Sequence, residues 1–129
     1  TGQMPLNIAE TLGMSVLFLP FQTIAGAAVS AGKERFILIN SGLHWLEQQF
    51  VCGHEIGHFV LHPSTNFMLV HRNFYGSHEY EASMFSCYLM LGDRVERYKL
   101  PIHEACVNGR LDRIVGLLAL VLGDELWTP

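Results

Sequence analysis

The chain has 129 residues, half of them apolar and only 16% charged, which excludes a disordered polypeptide and points to one domain with one core. At this length folding buries roughly two-thirds of the unfolded chain's surface. With 8 basic and 12 acidic residues the net charge is −4, so the basic excess of a nucleic-acid binder is missing. Asn7–Leu12 reads as a short helix closed by Gly13, and Ser15–Leu19 as a buried strand stopped by Pro20. Ile24–Ser30 is small and apolar, and is expected as an edge strand able to add a peptide strand or simply to pair. A turn follows at Ala31–Glu34, then a second β-rich run, Arg35–Asn40, expected to form a hairpin with Ser15–Leu19.

Leu43–His62 contains no proline, and Leu43, Leu46, Phe50, His54, Gly57 and Leu61 recur at helical spacing, so one long helix is predicted, stopped by Pro63. Residues 64–77 read as a loop with a short strand at Phe67–His71. Ser77 is the expected cap of a second long helix, His78–Leu91, closed by Gly92. Pro101 opens a third at Ile102–Val107, and Leu111–Leu122, closed by Gly123, is a fourth with its apolar face in the core. Arg94, Arg97 and Lys99 form a small basic cluster expected on the surface.

Cys52, Cys87 and Cys106 are too few and too widely spaced for a disulfide framework, so they are expected as buried thiols in a reducing compartment. No segment has a signal-peptide pattern. The longest apolar run, Ile114–Leu122, is far short of the roughly 20 residues that span a bilayer. These features lead to the expectation of a cytoplasmic protein.

Chemistry is concentrated in the seven histidines. His54-Glu55-Ile56-Gly57-His58 matches H-E-x-x-H on the best-defined helix. Residues four apart share a helix face, so both imidazoles reach one metal ion, and zinc accepts imidazole nitrogen. Glu55, rotated off that line, is placed to take a proton from water that the metal has made acidic. A hydrolytic zinc takes three protein ligands and keeps one position open. His62 is a poor third: on a straight helix it lies about 12 Å along the axis from His54, and it reads better as a cation favoured by the helix C-terminus. Glu79 and Glu81 are the alternatives, on opposite faces of the second helix. Glu79 shares its face with Ala82, Ser83 and Ser86, which permit close approach to the zinc helix, whereas Glu81 lies with Met84, Phe85 and Tyr88. Packing favours Glu79 without eliminating Glu81. Spacing does not select among His71, Tyr75, His78, Tyr80 and His103 for an oxyanion-stabilising group.

The run Cys52-Gly53-His54-Glu55-Ile56-Gly57-His58-Phe59-Val60-Leu61-His62-Pro63, followed by Glu79-Tyr80-Glu81-Ala82-Ser83-Met84-Phe85-Ser86-Cys87-Tyr88-Leu89-Met90, resembles the ImmA/IrrE family of small zinc metallopeptidases over roughly residues 4–92. That family carries H-E-L-G-H-x-L-L-H and then E-x-x-A-N-x-F-A-x-x-L-[LM]. The resemblance implies His54, His58 and Glu79 as zinc ligands and Glu55 as the catalytic glutamate. Ser83 replaces the usual Asn, Ser86 the usual Ala, and Leu91-Gly92 the usual Pro after the second helix; these departures are expected to touch packing and helix exit. Family members cleave or inactivate helix-turn-helix repressors.

The expectation is therefore an α+β, minimal zincin-like metallopeptidase. A small, mainly antiparallel sheet packs on the H-E-x-x-H helix and the glutamate helix, and residues 93–129 form a helical extension. It would hydrolyse a peptide bond in a separate repressor protein, with no direct nucleic-acid or membrane contact. A zinc-containing module that sequesters the repressor uncut is the alternative, and an incidental H-E-x-x-H in a structural domain is a second.

Overall fold

The computed structural model describes residues 2–63 and 66–123. In chain order it contains α1 (Pro5–Thr11), β1 (Ser15–Leu19), β2 (Gly26–Ala31), β3 (Glu34–Asn40), α2 (Trp45–Leu61), β4 (Asn66–His71), α3 (Ser77–Leu91), a 3-10 helix (Gly92–Tyr98), α4 (Lys99–Asn108) and α5 (Leu111–Leu122). Ser64, Thr65 and the end of the expected helical extension, 124–129, lie outside the described residues.

The architecture is α+β, with a four-stranded mixed sheet of order β1-β3-β2-β4 beside the helices. Three expectations for the sheet are corrected. Ser15–Leu19 is not a buried strand: only Val16 is half-buried, and Leu17, Phe18 and Leu19 are exposed. Ser15–Leu19 and Arg35–Asn40 do not form a hairpin: β1 runs parallel to β3, with Leu17 opposite Leu38. The hairpin is β2–β3, turning through Gly32 at φ +63°. A two-residue turn of this kind needs a positive φ at its first position, which glycine supplies. Ile24–Ser30 is no edge either, because β2 pairs antiparallel with β3 on one side and β4 on the other. Its alanines and glycine lie flat between two neighbours, so the edges are β1 and β4.

Helix α2 starts from a reciprocal cap. His44 Nδ1 accepts from the Leu46 N–H at 3.1 Å, and the His44 N–H donates to Glu47 Oε1 at 3.0 Å. The helix ends at Leu61, before Pro63, as expected. Its residues from Phe50 to Phe59 are all buried, because the sheet covers one side and α3 the other. Gly53 and Gly57 make the α3 contact close: a Cβ at Gly57 would stand 3.1 Å from Ala82 Cα. The small face of α3 (Ala82, Ser83, Ser86) is therefore the face against α2.

Two helix starts differ from expectation. Gly76, at φ +105°, takes the capping position of α3 with no side-chain cap, so Ser77 is the first helical residue rather than the cap. Helix α4 begins at Lys99, with Pro101 still in the first turn, where a missing N–H leaves no bond unmade. Ile114, Val115, Leu118 and Ala119 place α5 in the core. No helix among the described residues is long and apolar enough to cross a membrane.

Candidate metal centre

Packing of α3 across α2, with β4 ending beside both, brings four ligand-bearing side chains together: His54, His58, His71 and Glu79. Glu79 Oε1 lies 2.9 Å from His54 Nε2, 2.9 Å from His58 Nε2 and 2.8 Å from His71 Nε2. The His54 and His58 Nε2 atoms are 3.1 Å apart. Ligands bonded tetrahedrally at 2.0–2.1 Å stand roughly 3.3 Å from one another, so this convergence needs only slight expansion to admit a zinc-sized ion. Glu79 is thus the carboxylate beside the histidine pair. Glu81 sits elsewhere, 3.1 Å from His62 Nε2.

Glu55 is fully buried, with Oε2 3.3 Å from where a Cβ on Gly26 would lie. Oε2 accepts from His71 Nδ1 at 2.7 Å, and Oε1 is a buried oxygen without a hydrogen-bond partner among the described residues. A buried carboxylate oxygen with no donor is costly unless the site uses it. The orphaned oxygen and the converging nitrogens together fit a metal with a water-activating base beside it.

Electrostatics in the cluster follow from burial and hydrogen bonding. Burial lowers the His54 pKa to about 4, against the opposing hydrogen bond to Glu79, so its lone pair is available to a metal. Burial also works against charge on His71, but its hydrogen bonds to Glu55 and Glu79 outweigh this and raise its pKa to about 10. For Glu79, burial would raise the pKa, yet hydrogen bonds from His54, His58 and His71 hold it well below the usual carboxylate range. Metal binding there replaces protons as well as filling space.

Around the cluster, His54 Nδ1 lies 3.0 Å from Ser83 Oγ and His58 Nδ1 lies 3.3 Å from His62 Nδ1. Such outer partners fix a ligating imidazole's tautomer and orientation. Ser83 therefore touches a candidate ligand directly, where packing alone was expected. His71 is the residue that sequence spacing missed as part of the ligand cluster. It enters through sheet register, opposite Gly26 on β2, and no local pattern announces it. Tyr80 is bonded to His103 at 2.6 Å and His78 stacks on His62, so neither joins the cluster.

Residues 9–102 match the model of the IrrE N-terminal-like domain, a peptidase family designated M78. The chain belongs to this family. The His54/His58/His71/Glu79 cluster is the candidate metal site of this peptidase-family domain. The chain is also similar to the uncharacterized immunity region protein 2 of Bacillus phage phi105, at 42% identity over 71 residues. That match covers 52% of this chain and 45% of the phage protein, so the chain spans about half the length of that relative. No solved structure matches significantly.

Proposed function

We propose that the protein is a zinc-dependent endopeptidase in which His54, His58 and Glu79 hold the metal and Glu55 is the general base. The observation that carries this reading is the orphaned Oε1 of buried Glu55, whose Oε2 is linked through His71 to three side chains that converge to within 3.1 Å of one another. Zinc bound there supplies a Lewis acid that makes water nucleophilic near neutral pH. Glu55 takes the proton on Oε1 and returns it to the leaving amine. His71 holds Oε2 through Nδ1–H and so keeps the other oxygen free of donors. Ser83, at His54 Nδ1, sets which His54 nitrogen faces the metal.

The substrate in this reading is a helix-turn-helix repressor supplied as a separate cytoplasmic protein, and its cleavage relieves repression. The motif resemblance supports this, as does the similarity to a phage protein named for an immunity region. A second reading has one specific observation in its favour. His71 Nε2 stands among the ligand atoms, and a fourth protein ligand would close the coordination set, as in structural sites. The protein would then sequester the repressor without cutting it.

Co-expression with a helix-turn-helix repressor encoded beside the chain separates the two. The peptidase reading predicts repressor fragments with wild type and none with Glu55→Gln, which keeps its metal. Relief of repression by Glu55→Gln with the repressor intact would overturn it in favour of sequestration.

A further inference from the structure

A second group of ligating side chains lies outside the buried centre. His62 caps the C-terminus of α2, while His78 and Glu81 come from the first turns of α3. Their ligand atoms lie within 4.8 Å of one another. His62 Nε2 is 3.1 Å from Glu81 Oε1, and the His62 and His78 rings stack 4.1 Å apart at 21°. We propose that His62, His78 and Glu81 form a second, weaker divalent-cation site whose occupancy loosens the buried one.

Two features support a cation here, where the favourable C-terminal end of α2 is offset by the N-terminal first turn of α3. His78 and Glu81 are three residues apart on one helix, so they share a face, a spacing used by helical metal sites. Two imidazoles and a carboxylate suit zinc and neighbouring first-row ions. Glu81 and His78 are exposed, so an ion reaches them from solvent and the His78 ring can turn off its stack to aim a nitrogen.

The coupling follows from counting protons on the bridging imidazoles. If His58 gives Nε2 to the buried metal, its proton sits on Nδ1 and donates to His62 Nδ1 at 3.3 Å. His62 then carries its own proton on Nε2 and donates it to Glu81 at 3.1 Å. A cation on His62 Nε2 takes the place of that proton, and a neutral His62 then carries its single proton on Nδ1 instead. Two N–H groups then face each other between His62 and His58. The buried centre loses its outer acceptor, a change that costs about tenfold in metal affinity. By linkage, a filled buried centre weakens the outer site by the same factor. This coupling rests on the buried cluster being the metal centre; the outer site does not.

Zinc titration of the full chain against a competing chromophoric chelator tests both parts. Wild type should bind one tight and one weaker zinc. His78→Ala and Glu81→Ala, each alone, should lose the weaker and keep the tight, whereas His54→Ala should lose the tight and keep the weaker. Excess unlabelled zinc should displace pre-loaded radioactive zinc from the tight site about tenfold faster in wild type than in His78→Ala. A single zinc in wild type, or a weaker zinc that survives both outer substitutions, overturns the second site. A weaker zinc with no tight one would instead overturn the metallopeptidase reading and leave the outer site standing. Equal exchange rates in wild type and His78→Ala would refute the coupling.

Discussion

Gly53→Ala tests whether close contact between α2 and α3 builds the site. A Cβ at position 53 would overlap Ser86 Oγ and stand 3.0 Å from both Ser86 Cβ and Pro5 Cγ. Ser86 is fully buried, and its hydroxyl donates to the Phe50 carbonyl at 2.8 Å. Displacing that hydroxyl into an unpaired position costs about 1–3 kcal/mol. Overpacking adds about 1–3 kcal/mol, and the better helix propensity of alanine returns about 1 kcal/mol. The net expectation is a loss of about 3 kcal/mol, read by urea unfolding in EDTA. Ser86→Ala in the same chain removes the overlapping oxygen, so the double variant should recover more than about 1 kcal/mol relative to additivity. Gly53→Ala should also weaken zinc binding, because α2 carries the histidines and α3 carries Glu79. A Gly53→Ala protein within about 0.5 kcal/mol of wild type, the range of an ordinary surface substitution, would refute the packing account.

Two further predictions concern the metal-free protein. His71→Ala leaves the buried Glu55 carboxylate without its partner, and should cost about 3–5 kcal/mol in urea unfolding with EDTA; unchanged stability would remove His71 from the site's support. The second is a stability maximum near pH 6–7. The folded His54 value, about 4, lies below its unfolded 6.5, so the unfolded chain takes the proton first and stability falls as pH drops from about 6.5 to 4. Glu79, held low, adds to that acid-side loss as pH falls. His71, raised to about 10, contributes stability that is complete below about 6.5 and is lost as pH rises through 10. Urea unfolding in EDTA between pH 4.5 and 10 reads this, and stability still climbing from pH 7 to 10 would contradict it.

Much of the helical framework was readable because its signals are local. The 3–4 spacing from Leu46 to Leu61 and the proline at 63 define α2, and the glycines at 109 and 123 end α4 and α5 at left-handed residues. That Glu79 rather than Glu81 lies beside His54 and His58 was also readable, since Ala82, Ser83 and Ser86 mark the face that could approach another helix, and Gly53 and Gly57 meet it. What stayed hidden depends on long-range pairing. The small side chains of Gly26–Ala31 show no alternation, so nothing local distinguishes an interior strand from an edge. The parallel β1–β3 pairing is set by β2 occupying the other side of β3. His71 reaches Glu55 only because register places it opposite Gly26.

The most direct test of the central claim is the zinc content of the purified chain after dialysis against a weak chelator, measured beside His54→Ala, Glu79→Gln and Glu81→Gln. The account predicts one retained zinc per chain in wild type and in Glu81→Gln, and none in His54→Ala or Glu79→Gln. Zinc-replete wild type that retains no metal, or Glu79→Gln that retains it fully, would contradict a centre built on His54, His58 and Glu79.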